Sequence, residues 1–390
     1  MSTNYPKLLE SLNRLVATPS ISSANPTIDM SNAEVINYLA DCFEDLGFSC
    51  EIIQSPSTSG KIKLNLVATR GQGSGGLVLS GHTDTVPLDE DLWTVDPFSL
   101  TVKDNRLYGL GSTDMKGFFP IVMQAVRELG EFKCREPLII LATADEETSM
   151  QGARTLVENG IPRARAAIIG EPTGLQPVRA HKGIMMEAIR LSGKSGHSSN
   201  PALGNNALDA MHAVITELMQ LRNELKQQYR SNLFEIDHPT LNLGCIHGGD
   251  NPNRICGHCD LEIDIRLMPN MDINETRALL QQRISAVTDK IGIEFELAPL
   301  FPGAPAFLSA TESNILKLVE QLTNSSGISV AFSTEAPHLQ KLGMDTIIFG
   351  PGSIDQAHQP DEHMSLDMVT PGINYLKQII TNVCIEDICQ

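Results

Sequence analysis

Carboxylates and imidazoles recur in this sequence at points where apolar strands are expected to end. The run LIILAT at residues 138–143 is followed by ADEE, which places Asp145, Glu146 and Glu147 at the mouth of a buried strand. Like charges so close together are costly to desolvate unless a cation compensates them. The sequence therefore predicts a cation-binding site here.

Five side chains of metal-binding type lie at the ends of predicted strands or in the loops that follow. They are His82 in SGHTDTVP, Asp114 in GSTDMKG, Glu147 in ATADEETS, Glu171 in IIGEPT and His358 in DQAHQPDE. Taken singly, an Asp before a helix is most often an N-cap, and a His in a loop is most often a surface residue. Five together favour a metal centre, because imidazole and carboxylate both suit Zn²⁺.

Two histidines and three carboxylates form a plausible donor set for a pair of zinc ions. Two metals roughly 3.5–4 Å apart need a carboxylate between them. We assign Asp114 as this bridge. His82 and Glu171 then complete the ligands of one ion, and Glu147 and His358 complete those of the other.

Two side chains beside these ligands have expected roles in the chemistry. Consecutive residues of an extended chain point in opposite directions, so Glu146 and Glu147 do not both reach one ion comfortably. Glu146 is therefore expected to be the general base, although it also reads as a solvated carboxylate. Asp84 lies two residues after His82 and is expected to accept its second imidazole N–H, fixing the tautomer.

Such a site requires a sheet that brings distant strand ends together. In the first half of the chain, strand-like runs such as GGLVLSGHT and AAIIG alternate with helical patterns. This alternation predicts an α/β fold with a mainly parallel central sheet and helices on both faces. Over residues 182–298 the order becomes β-α-β-β-α-β, which is typical of a ferredoxin-like α+β domain. We predict a catalytic domain at 1–181 and 299–390, with the smaller domain at 182–298 inserted into it.

The composition restricts the classes of function. The chain has 390 residues and a formal net charge of −18, which argues against nucleic acid as a partner because phosphates attract Lys and Arg. No apolar run approaches the roughly 20 residues of a membrane span, so no membrane partner is expected. The N-terminal residues lack the pattern of a signal peptide. Eight scattered cysteines predict free thiols in a reducing cytoplasm.

Two other patterns are better explained by structure than by chemistry. Cys256–Cys259 forms CGHC, but it runs into the alternating strand DLEIDIRL and not into the helix that a dithiol redox site requires. These thiols are expected in a core or a sheet. GQGSGG at residues 71–76 is followed by another strand, so it reads as a hairpin turn and not as a dinucleotide loop.

The motifs together resemble those of the zinc aminoacylase and carboxypeptidase family, over nearly the whole chain and in the family's order. The resemblance is carried by SGHTDTVP, LYGLGSTDMKG, ATADEETS, IIGEPT, GKSGHSS and AHQPDE. It implies a zinc-peptidase-like catalytic domain, an inserted lid and dimerisation domain, and hydrolysis of an N-acyl amino acid by a homodimer. It also implies two Zn²⁺ per subunit, for which Co²⁺ can substitute, and glutathione as an additive for related enzymes.

The resemblance assigns further roles that the residue types leave open. His197 in GKSGHSS resembles a lid histidine that reaches the partner subunit's site and polarises the scissile carbonyl. Arg254 in NPNRIC resembles a lid arginine that grips a substrate carboxylate, although it also reads as a surface ion pair. A cis peptide is expected at Asp114–Met115. From charge complementarity we add Glu335 in STEAPHL as a partner for an ammonium group of the substrate.

Three alternatives stay open on the sequence alone. Another acylase or a dipeptidase of the same family would differ in the acyl or the amine side of its substrate. A catalytically silent metal-binding or amino-acid-binding protein would not need Glu146. A redox protein built on CGHC would depend on Cys256.

Overall fold

The computed structural model describes residues 5–385. Its α-helices are α1 (Pro6–Val16), α2 (Ala33–Glu44), α3 (Phe118–Leu129), α4 (Gln151–Asn159), α5 (Ala207–Gln228), α6 (Ile273–Ile291), α7 (Asn314–Thr323), α8 (Ala336–Lys341) and α9 (Val369–Cys384). Its strands are β1 (Ser49–Ser55), β2 (Lys63–Arg70), β3 (Leu77–His82), β4 (Thr101–Lys103), β5 (Arg106–Tyr108), β6 (Leu138–Thr143), β7 (Ala166–Ile169), β8 (Val178–His181), β9 (Gly183–Ser192), β10 (Thr240–Gly248), β11 (His258–Leu267), β12 (Glu294–Pro299), β13 (Phe307–Leu308), β14 (Ile328–Val330), β15 (Asp345–Ile348) and β16 (His363–Ser365). Within this part of the chain, no helix is both long and apolar enough to cross a membrane.

The chain divides into two compact units. The first unit comprises Met1–Arg179, Ser309–Ile328 and Thr334–Gln390. The second unit comprises Ala180–Leu308 and Ser329–Ser333. The smaller unit is therefore an insertion into the larger one.

A mixed sheet forms the centre of the first unit, with the strand order β1-β2-β6-β3-β7-β15-β8. The four central strands β6, β3, β7 and β15 run parallel to one another. Antiparallel pairings add β2 and β1 at one side and β8 at the other. The predicted α/β class is confirmed, and the sheet is parallel at its centre and antiparallel at its flanks.

The GQGSGG segment joins β2 to β3, but it is not the hairpin turn that the sequence predicts, because β6 lies between these two strands. The segment passes over the residues that lead into β6. A Cβ atom on Gly76 would lie 2.1 Å from the carbonyl oxygen of Pro137, and one on Gly71 would lie 2.6 Å from the Cβ atom of Cys134. Glycine is therefore required where the connection crosses the preceding chain.

The central strands are buried because helices cover the sheet. All six residues of β3 and all six of β6 are buried, as expected for strands of a parallel sheet. In α1, the helical spacing of Leu8, Leu12 and Leu15 places all three leucines in the core, at most 1% exposed. Burying each such side chain contributes roughly 1.5–3 kcal/mol.

The second unit contains a separate antiparallel sheet with the order β10-β11-β9-β12. Along the chain its elements follow the predicted β-α-β-β-α-β order, with α5 and α6 as the two helices. In β11 buried residues alternate with half-buried ones, so one face of the strand packs on the core. Helix α6 begins after Asp272, whose carboxylate accepts the backbone N–H groups of Asn274 and Glu275.

The CGHC thiols belong to the core of this second unit. Cys256 and Cys259 are 5% and 0% exposed and lie in one apolar cluster. Both are free thiols, and the Cys256 thiol donates to the carbonyl oxygen of His258. Their placement is that of core cysteines, as the strand pattern predicts.

Candidate active site

Asp114 lies between two predicted histidine ligands. Its Oδ1 atom is 3.1 Å from Nε2 of His82, and its Oδ2 atom is 3.2 Å from Nε2 of His358. The two oxygens of one carboxylate thus face two different imidazoles, which is the arrangement that a bridging ligand needs. The Asp114–Met115 peptide bond is cis, as the family resemblance implies.

The other two predicted carboxylate ligands each approach one imidazole. Glu171 Oε1 lies 3.9 Å from Nε2 of His82, and Glu147 Oε1 lies 3.2 Å from Nε2 of His358. Ligand atoms of His82, Asp114 and Glu147 all lie within 4.8 Å of one another. The structure therefore brings the five predicted ligands together, as two groups that share Asp114.

Neighbouring strands bring three of these ligands to one edge of the sheet. His82 ends β3, Glu147 follows β6 and Glu171 follows β7. Strand β3 is paired in parallel with both β6 and β7, so their carboxyl ends lie side by side. Asp114 and His358 reach the same place from the loops that precede α3 and follow β15.

The cluster holds more carboxylates than its imidazoles can neutralise. Burial, reinforced by Asp114, raises the pKa of Glu171 well above its ordinary value. Hydrogen bonds to carboxylates, that to Asp114 foremost, raise the pKa of His358 to about 10. Burial opposes the same change at His82, but the hydrogen bond to Asp114 still raises its pKa. The carboxylates thus favour protons on both imidazoles. Two divalent cations fit this donor set and would take the place of those protons.

Glu146 adjoins the cluster without pairing with it. Its half-buried side chain makes no hydrogen bond or ion pair within residues 5–385. Burial and the charges of Glu171 and Glu147 raise its pKa well above the ordinary value. An unpaired carboxylate whose pKa is shifted towards neutrality suits general acid–base chemistry.

Asp84 acts differently from the sequence prediction. Nδ1 of His82 bonds to the main-chain carbonyl oxygen of Asp84 at 3.0 Å, whereas the carboxylate oxygen Oδ1 is 3.7 Å away. A carbonyl oxygen only accepts, so Nδ1 carries a proton and Nε2 is directed to Asp114. The Asp84 carboxylate instead accepts the backbone N–H groups of Glu146 and Glu147, at 3.2 and 3.0 Å. It therefore orients the two glutamates.

Asp145 forms an ion pair with a buried lysine that the sequence motifs did not reveal. The Nζ atom of Lys63, a side chain only 2% exposed, lies 2.6 Å from Asp145 and 2.8 Å from Asp29. The Ser22 hydroxyl donates to Asp145 at 2.8 Å. Asp145 is therefore structural, and it anchors the turn that carries the other two carboxylates. Lys63 at the start of the largely apolar strand KLNLVAT was the available signal for this buried ion pair.

Glu335 is enclosed and not directed towards solvent. It is 1% exposed, and its Oε2 atom accepts the Thr143 hydroxyl at 2.8 Å. Burial raises the pKa of Glu335 to about 7. Thr143 pairs in register with His82, so this carboxyl supports the strand ends. Its other oxygen, Oε1, has no hydrogen-bond partner within residues 5–385, so the contact with a substrate ammonium stays a prediction.

Within the second unit, His197 and Arg254 lie on paired loop segments. Nδ1 of His197 accepts the backbone N–H of Ser199 at 3.2 Å and lies 2.7 Å from its hydroxyl. A backbone N–H only donates, so the proton of the neutral imidazole is on Nε2, which can donate outward. Arg254 pairs with Asp250 at 2.7 Å, and its side chain is 53% exposed.

A cavity of about 510 Å³ in the second unit contains two cationic residues that the sequence did not single out. Lys182 and Arg266 line it together with Phe234 and Phe332. The Lys182 ammonium donates to two main-chain carbonyl oxygens, at 2.7 and 2.6 Å. Arg266 uses only Nε, towards Asp264, which leaves its terminal nitrogens available within the described chain. Glu235 also lines the cavity. The available guanidinium nitrogens of Arg266 suit a ligand with a carboxylate.

Comparisons with known proteins agree with the motifs and the fold. The family described as peptidase family M20/M25/M40 matches residues 78–382. An acetylornithine deacetylase of Klebsiella pneumoniae (strain 342) is 47% identical over 384 residues, covering 98% of this chain and 100% of that protein. A Staphylococcus aureus tripeptidase has the same fold, with a TM-score of 0.75 at 18% identity over 97% of this chain and 98% of that one.

A dinuclear metal-binding peptidase of the M20 family from Bacillus subtilis also shares the fold. Its TM-score is 0.65 at 14% identity, and the match covers 96% of this chain and 97% of that one. The resemblance inferred from the motifs is confirmed by the sequence matches. This chain belongs to peptidase family M20/M25/M40.

Proposed function

We propose that this chain is a dinuclear metal amidohydrolase that converts N²-acetyl-L-ornithine to L-ornithine and acetate in arginine biosynthesis. The chemistry is supported above all by Asp114, whose two oxygens lie 3.1 and 3.2 Å from two different imidazoles. The substrate follows from the deacetylase that is 47% identical over 98% of the chain. We infer two Zn²⁺ per chain and a cytoplasmic location. Substitution by Co²⁺ and an effect of glutathione stay predictions.

Divalent ions bound by the five ligands would supply Lewis-acid activation of water and of the scissile carbonyl. Asp114 holds the two imidazoles at a fixed separation. Glu146 takes the proton of the attacking water on its carboxylate and delivers it to the amide nitrogen as the C–N bond breaks. The Glu146 side chain makes no hydrogen bond or ion pair within residues 5–385, which leaves its carboxylate free for both transfers. Asp84 keeps Glu146 oriented through its backbone N–H.

His197 completes the proposed mechanism from a second copy of the chain. The imidazole is exposed, and its Nε2–H can donate to the carbonyl oxygen as negative charge develops there. By family resemblance this donor reaches the partner's site. We therefore propose a homodimer that forms through the inserted unit.

The metal-replete protein is expected to hydrolyse N²-acetyl-L-ornithine with a higher kcat/KM than N-succinyl-diaminopimelate or dipeptides. This order follows from the acetylornithine deacetylase that is 47% identical over 98% of this chain. A kinetic panel of these substrates, with zinc measured on the same sample, tests this. Fastest turnover of a succinyl or peptidyl substrate would assign a different member of the family. A zinc-loaded protein that hydrolyses none of them would favour the silent binding protein.

Arg266 is expected to matter more than Arg254 for binding the substrate carboxylate. Arg266 lines a cavity with Lys182, whereas Arg254 is 53% exposed and paired with Asp250. A hydrogen bond to a charged group contributes about 1.5–3 kcal/mol, so Arg266→Met should raise KM for N²-acetylornithine at least about tenfold. Arg254→Met should change it less.

The matched substrate for this test is N-acetylputrescine, which is N²-acetylornithine without the carboxylate. Arg266→Met should leave its turnover unchanged. Arg190→Met provides a control arginine, since within residues 5–385 Arg190 forms only an exposed pair with Glu296. Equal losses on both substrates would exclude carboxylate binding by Arg266. A larger effect of Arg254→Met would return that role to Arg254.

A further inference from the structure

Glu362 is a buried carboxylate that binds the main chain around Asp114. It is 2% exposed. Its Oε2 atom accepts the backbone N–H of Gly111 at 2.9 Å. Its Oε1 atom accepts those of Thr113 at 2.8 Å and Asp114 at 3.0 Å. Three main-chain donors thus converge on one side chain, and the last belongs to the proposed bridging residue itself.

These hydrogen bonds replace secondary structure that the Asp114 loop lacks. Strands β16 and β5 pair as far as His363 and Tyr108, and the ladder continues one step further where Gly109 N–H donates to the Glu362 carbonyl oxygen at 3.0 Å. Beyond that point the loop leaves the sheet, and the Glu362 carboxylate receives its amide groups. Buried N–H groups need such acceptors, so the loop takes the path that this carboxylate sets.

The segment that carries Glu362 also carries His358, four residues earlier. One stretch of chain therefore supplies the imidazole that faces Asp114 Oδ2 at 3.2 Å and the carboxylate that binds the Asp114 backbone at 3.0 Å. Glu362 is thus linked to Asp114 through its carboxylate and to His358 through three intervening residues. Both residues are proposed ligands of the same ion.

We infer that Glu362 is a positioning residue that sets the separation of Asp114 and His358, and thereby the affinity of the metal site they share. This inference rests on the proposed dinuclear centre and adds a residue that is not a ligand. Partners behind metal ligands typically contribute 10–100-fold to metal affinity. The neighbouring Asp361 offers a matched control, because its carboxylate binds Thr94 at 2.8 and 2.6 Å and does not contact Asp114.

The test is calorimetric titration of metal-free protein with Zn²⁺. Wild-type protein should bind two ions per chain. Glu362→Gln cannot accept all three N–H groups and should lower the Zn²⁺ affinity of the lower-affinity site by about 10–100-fold. Asp361→Asn should leave both affinities unchanged. Glu362→Asp keeps a carboxyl group but is one methylene shorter, so an intermediate loss is expected. This variant replaces Glu362→Gln if the latter does not fold, as judged by circular dichroism.

Thermal unfolding of the metal-free variants separates positioning from simple stabilisation of the fold. If Glu362→Gln lowers Tm yet binds both ions as tightly as Asp361→Asn, the residue has a structural role only and the inference is wrong. Fewer than two ions on the wild-type chain would instead refute the dinuclear centre. The wild-type and variant titrations thus distinguish the two failures.

Discussion

Glu146→Gln is expected to remove hydrolysis while leaving both metal ions bound. The Glu146 side chain makes no hydrogen bond or ion pair with the described chain, whereas Asp114 contacts two of the other proposed ligands, His82 and His358. A glutamine of the same shape can neither take a proton from water nor return it to the leaving amine, and general acid–base catalysis contributes about 10²–10⁴-fold. The measurement is kcat on N²-acetylornithine together with zinc per chain.

The control for this substitution is Glu158→Gln, an exposed carboxylate on the nearby helix α4. It should retain wild-type kcat and zinc. Survival of activity in Glu146→Gln would show that another group is the base. Loss of zinc together with activity would make Glu146 a ligand, and the roles of the two adjacent glutamates would have to be exchanged.

Asp114→Ala is expected to lower zinc content from two ions per chain to one or none and to abolish turnover. Asp114 is 6% exposed, and its removal would leave His82 and His358 without the acceptor they share. The loss of affinity should exceed the roughly 10–100-fold that accompanies loss of a partner behind a ligand. Zinc analysis after gel filtration, followed by assay at saturating zinc, measures both effects.

Asp367→Ala removes an exposed aspartate and should change neither zinc content nor rate. A correctly folded Asp114→Ala protein that keeps two tightly bound ions would show that Asp114 does not bridge them. Recovery of full activity at high zinc would show that the bridge affects affinity only. Circular dichroism of the metal-free variant confirms that the comparison concerns folded protein.

The sequence was sufficient to predict which candidate ligands lie close together, because strand ends are a strong signal. His82, Glu147 and Glu171 each follow a short apolar run, and parallel pairing of β3 with β6 and β7 brings those runs into register. The inserted unit was visible from its changed order of elements. Residue type and local pattern decide these features, so they can be read without knowledge of the packing.

Features that depend on packing between distant segments could not be read in the same way. STEAPHL reveals a carboxylate at Glu335 but not that it is buried against Thr143. The acceptor for His82 is the carbonyl and not the carboxylate of Asp84, a choice made by the local backbone path. The cavity with Lys182 and Arg266 needs residues 329–332 as another wall, far away along the chain.

Glu146 and Glu147 are consecutive, so a peptide bond joins the proposed base to a proposed ligand. Consecutive Cα atoms are about 3.8 Å apart whatever the surrounding packing, so a displacement of one residue carries the other with it. A base on a separate segment would lose about 1–2 kcal/mol of backbone entropy for each additional residue held in place. Here the Asp84 carboxylate restrains both amide groups at once. Ordering this one segment therefore positions both the proposed base and the proposed ligand.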